Sequence, residues 1–125
     1  MSTRIVKINR GDSYEFFINV TDKYNESQKH LLTTNEVVYF ALLYPHQRFE
    51  DALLIKGYTL NDQNSKTGEI LVSITPEDTK NLMPGVYYYT VKLKCGGTTI
   101  KTLDNFYEAD EIRTLIERTK FIINE

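Results

Sequence analysis

Arg10-Gly11-Asp12 is the first run in this 125-residue sequence whose residue types could do chemistry. The tripeptide is an integrin-binding signal when it sits on an exposed extracellular loop. The same residues make an ordinary turn, with glycine supplying backbone freedom and aspartate a local hydrogen bond, and that is the expected role. Metal binding would have to draw on His30, His46, Cys95 and nearby acids. The histidines are isolated and Cys95 is the single cysteine, so no zinc spacing appears and no intrachain disulfide can form. Asp62-Gln63-Asn64 begins like a calcium loop, but Lys66 replaces a third oxygen ligand and no glutamate stands at the twelfth position. No metal or cofactor is expected, and a polar loop explains these residues.

Nucleophilic catalysis has no better footing. No serine lies in a G-x-S-x-G elbow, and nothing ties Cys95, beside Gly96-Gly97, to either histidine. Neighbours in the acid pairs Glu50-Asp51 and Asp110-Glu111 point alternately from extended backbone and do not converge on one substrate. The expectation is a non-enzymatic protein with no catalytic residues, although residues distant in sequence can still meet in a fold.

The more informative signal is aromatic: nine tyrosines and no tryptophan. Phe17, Tyr39, Leu43, Leu71 and Tyr88 fall on the second face of their strands, where a solvated face would be polar. Two readings stand. These residues form an interaction patch, since tyrosine and phenylalanine are enriched at protein contacts, or they cover one another within the sheets and under loops.

The elements that carry them read as short strands. Tyr14, Phe16, Ile18 and Val20 alternate with Glu15, Asn19 and Thr21, which predicts a half-buried strand after the shorter run Arg4 to Asn9. Glu36 to Tyr44 is apolar on both parities, as in a strand covered on both sides or one offering a face to a partner. Leu53 to Leu60 and Gly68 to Thr75 read as a hairpin joined by the turn cluster Asn61 to Gly68. Thr75-Pro76-Glu77-Asp78 predicts one short helical turn, with Pro76 at its first position and Asp78 as capping acid; Pro84-Gly85 ends that passage. Val86 to Lys94 is a long strand with Tyr87, Tyr89, Val91 and Leu93 on one face. Residues 95–110 resist assignment. In Glu111 to Asn124 the apolar spacing suits a helix and the β-branched content suits a strand. Together these predict an all-β, antiparallel sandwich over residues 1–125 as a single domain.

Pro76 to Leu93, PEDTKNLMPGVYYYTVKL, resembles the passage between the last two long strands of immunoglobulin-like domains, where a "tyrosine corner" bonds back to the preceding loop. Tyr87, the inward tyrosine, fits that role better than Tyr88. Together with IVKINRGDSYEFFINV, VYFALLYPHQRFEDALLIKGYT and TLIERTKFIIN, the segment makes the whole chain resemble small immunoglobulin-like tail- or baseplate-associated proteins of tailed phages and prophages of Gram-positive bacteria. The resemblance implies that Glu111 to Asn124 is the last strand. It also implies a virion structural or assembly role, with synthesis in the bacterial cytoplasm and docking to other virion proteins or to copies of itself. It carries over no site residue. A carbohydrate- or receptor-binding module, with Tyr39 or Tyr88 as stacking platforms, is the alternative.

Net charge is −2 with lysine and arginine scattered, so nucleic acid is not an expected partner. No apolar run approaches a membrane span and MSTRIVKINRGD lacks a signal-peptide core, so neither membrane nor secretion is expected. The sequons at Asn19 and Asn25 are then chance matches.

Overall fold

Eight consecutive residues, Glu36–Leu43, are all buried, and the larger sheet is built around them. The computed structural model describes residues 4–97 and 99–125. Residues 1–3, part of the run scanned for a leader, and Thr98, part of the unassigned segment, lie outside the described residues.

Among the described residues the strands are β1 (Val6–Asn9), β2 (Tyr14–Asn19), β3 (Glu36–Leu43), β4 (Leu54–Tyr58), β5 (Glu69–Ile74), β6 (Gly85–Cys95) and β7 (Glu111–Asn124), with one α-helical turn, α1 (Pro76–Thr79), and three short 3-10 turns. The chain is thus mostly β. Five strands form one sheet in the order β1-β7-β6-β3-β4, and β2 and β5 form a second. Their facing side chains share one core: Ile18, Ile70, Val72 and Ile74 from the small sheet join Val38, Phe40, Leu42, Tyr89, Val91 and Phe121 from the large one. Phe16 bridges the layers, its ring 5.8 Å from both Phe40 and Tyr89.

The alternation in β2 and β6 acts as expected, with Ile18, Tyr87, Tyr89, Val91 and Leu93 buried. The Thr75 N–H donates to the Asp78 carboxylate at 2.8 Å to start α1. Burial pushes the Asp78 carboxyl up, but that bond and the Lys56 ammonium at 2.9 Å outweigh it and hold its pKa below the usual value.

Two expectations need correction. The large sheet is mixed, because β1 pairs parallel to β7, Val6 opposite Phe121. Nor are β4 and β5 a hairpin. β4 pairs with β3 and β5 with β2, in different sheets. The polar cluster between them is a crossing: a 3-10 turn at Leu60–Asp62 leads to Gln63, whose amide donates to the carbonyls of His30 and Gly68. Alternation marks each strand but says nothing about its neighbour.

β7 is a 14-residue strand. Its register against β6 shifts between Tyr89 and Val91 and again between Val91 and Lys92. Each shift exchanges the inward and outward parity, leaving Leu115 and Ile116 both buried. The Thr90 hydroxyl donates to the Ile116 carbonyl at this irregularity, at 2.7 Å.

Candidate interaction surface

The five residues expected on second faces divide into three fates. Tyr39 and Leu43 are fully buried, which removes both from any exposed interface. Their face of β3 is covered from within the chain by Phe49 and Phe106, which join Val37, Tyr39, Ala41 and Leu43 in a second apolar cluster. Phe106 packs edge-on against Tyr39 at 5.5 Å and lies 4.9 Å from Phe49. The Tyr39 hydroxyl donates to the Ile100 carbonyl at 2.5 Å, and burial raises its pKa. The segment that resisted assignment is therefore a cover. It lies so close to β4 that a Cβ on Gly57 would come within 2.6 Å of the Lys101 Cα.

Tyr88 is half-buried on the same sheet, in register between Leu43 and Lys120. Phe17 and Leu71 alone of the five are exposed, at 61% and 41%, and they are directly opposite each other across the β2–β5 pair. Tyr87, the expected corner tyrosine, is buried and its hydroxyl donates to the Met83 carbonyl at 2.6 Å.

Beside Phe17 runs a groove of 510 Å³ along the outer edge of β2, lined by Glu15, Phe16, Phe17, Ile18 and Asn19, by Arg4, Thr21 and Glu26, and, from the facing layer, by Tyr89 and Ile116. The Val20 N–H donates to the Gly68 carbonyl on the β5 side, so the even-numbered residues of β2 face β5 and Glu15, Phe17 and Asn19 direct their backbone groups into this groove. Sequence reasoning missed the edge. Its available signal was a short aromatic strand, YEFFIN, with neither lysine nor proline to protect it.

A second groove, of 600 Å³, lies on the outer face of β6 and β7 and holds Arg48, Glu50, Thr90, Lys92, Tyr107, Glu117 and Arg118. Tyr107 is 62% exposed and its hydroxyl donates to Glu50 at 3.2 Å. These residues are too far apart in sequence for any motif to have grouped them.

The residues first weighed for chemistry are tied into the framework. The Arg10 guanidinium donates to Glu125 and to the Lys80 carbonyl, and the Gly11 N–H to the Thr79 hydroxyl. His30 sits 3.0 Å from the buried Glu36 carboxylate, which also accepts the Thr33 N–H. Burial first, then the carboxylates of Glu36, Glu111 and Asp110, push the Cys95 thiol up, which disfavours the reactive thiolate. Among the described residues no group of three or more His, Cys, Asp or Glu is placed to hold a metal ion. Among them, too, no helix is long and apolar enough to cross a membrane.

Comparison with known proteins returned no matching family model, no matching curated protein and no matching solved structure.

Proposed function

We propose that this chain is an immunoglobulin-like β-sandwich that works without catalysis, as a structural or assembly component of a tailed-phage particle, by docking to another protein surface. The observation that carries the docking reading is the exposed Phe17–Leu71 pair. Two large apolar side chains side by side on an otherwise polar strand face lose solvent-exposed area only when something covers them.

The immunoglobulin-like label draws support from strand order. β4-β3-β6-β7 corresponds to the C′-C-F-G order of such domains, with β2 and β5 in the places of B and E on the facing sheet. The Tyr87 hydroxyl bond to Met83, just before β6, is of the kind a tyrosine corner between E and F makes, and supports the same label. The phage setting is supported by the resemblance of the four sequence segments. Mass spectrometry of phage particles purified from the source bacterium tests it. The chain should be present in particles, and a folded Phe17→Ser/Leu71→Ser protein should be depleted from them. A chain absent from particles overturns the virion role.

A second reading, a carbohydrate-binding module on the same fold, loses Tyr39 as a stacking platform because that ring is buried. The exposed Tyr107 beside the polar groove of Arg48, Lys92 and Glu117 supports it instead. Glycan binding that disappears in a folded Tyr107→Ala protein is its required outcome.

A further inference from the structure

The small sheet has two outer edges, and the chain treats them differently. On β5 the chain folds back onto the start of the outer edge. The Glu69 carbonyl accepts the Asn64 N–H at 2.9 Å, and Gln63 bridges to Ile70. On β2 the outward groups of Glu15, Phe17 and Asn19 have no hydrogen-bond partner among the described residues. The free stretch ends at Thr21, whose carbonyl accepts the Arg113 guanidinium at 2.8 Å. Strands with such open edges add further strands.

We infer that β2 pairs antiparallel with β2 of a second copy of this chain about a twofold axis at Phe17, joining two small sheets into one continuous sheet.

The choice of a second copy rests on self-complementarity, which a twofold contact demands. Centred on Phe17, the pairing sets each Glu15 opposite the second copy's Asn19, a carboxylate against an amide that can donate to it. Phe17 meets Phe17, and the apolar stripe runs Leu71, Phe17, Phe17, Leu71 across the joined sheet. All the free backbone groups find partners, because the paired residues are the ones that face outward on both copies. The two registers centred on the other outward-facing residues do worse. Centring on Glu15 opposes two carboxylates, which is repulsive in an antiparallel pair. Centring on Asn19 sets Phe17 against Thr21, whose carbonyl Arg113 already holds. The contact is short, so association is concentration-dependent. This inference deepens the docking reading above and rests on it.

Sedimentation velocity over a concentration series tests it. The mass should rise from 14.6 kDa towards twice that value. Phe17→Lys, which sets two ammonium groups against each other on the axis, should hold the protein at the single mass with an unchanged far-UV spectrum and denaturation midpoint. Phe17→Glu should do the same, and mixing the two variants should restore the doubled mass. In a Cys95→Ser background, Phe17→Cys should cross-link to itself on oxidation with diamide, whereas Glu15→Cys should cross-link only with Asn19→Cys. A wild-type protein that stays at the single mass overturns the inference. So does a dimer that Phe17→Lys leaves intact, or one in which Glu15→Cys cross-links to itself. A single-mass protein that is still found in phage particles removes this inference and leaves the docking reading standing.

Discussion

The outer face of β3 and the outer face of the β2–β5 pair begin from the same sequence signal and end in opposite states. Each strand carries large apolar residues on a parity that should meet water. Over β3 the chain folds back twice, and Phe49 and Phe106 seal Tyr39 and Leu43 from solvent. Over β2 and β5 none of the described residues returns to seal Phe17 or Leu71, which stay exposed. Two-sided apolarity therefore announces that a face needs covering without saying whether the cover comes from the same chain.

Breaking the covered face has the largest expected effect. Phe106→Ala empties the centre of the second cluster and should cost about 3–5 kcal/mol, as for other buried Phe to Ala truncations, read by urea denaturation. A loss under about 1 kcal/mol, within the range of ordinary surface changes, would mean that the cover is not part of the cooperative fold. Gly57→Ala comes next. Its methyl group meets backbone, not a flexible side-chain end, so the cover must lift, at about 1–3 kcal/mol for an overpacked site. Hydrogen exchange in residues 99–104 should rise in that variant, while exchange in β2 should not.

Acid gives a smaller lever on the same cover. Burial pushes the Asp62 carboxyl up, but the Thr59 N–H and the Lys101 ammonium at 3.1 Å outweigh it and leave the pKa below its ordinary 3.8. A lowered folded value means that this contribution is present above the unfolded pKa and lost as pH falls through the folded one. Exchange near Lys101 should therefore quicken below the ordinary value, and Asp62→Asn should remove that acid dependence. The smallest change belongs to the open face. Phe17→Ser removes little buried area and should shift stability by no more than about 0.5 kcal/mol in urea denaturation. A shift of several kcal/mol would show that Phe17 belongs to the core.

How much of this could be read from the sequence follows the same divide. Strands β2 and β6 and the start of α1 were legible because alternation and capping are local. β7 was not legible from its period, because its register shifts against β6 lie within the strand and place Leu115 and Ile116 inward together. The crossing between β4 and β5 looked like a hairpin because pairing partners are chosen by the whole core. Of the candidate surface, Phe17 and Leu71 were found by parity. Tyr39 and Leu43 were found by the same parity and belong under the cover, whose key residue, Phe106, lies in a stretch with no periodic pattern at all.

The parallel pair at the sheet edge has a consequence for how the molecule is made. β1 has one hydrogen-bonded neighbour, β7, and the match of Val6 with Phe121 joins nearly the whole length of the chain. A ribosome has therefore released the first strand long before the strand that seats it exists. Closing so long a loop is entropically costly and slow, so β1 docks late, and Val6 and Ile8 enter the core only once β7 is there to seat them. Loss of Phe121–Asn124 from β7 would then release β1 as well.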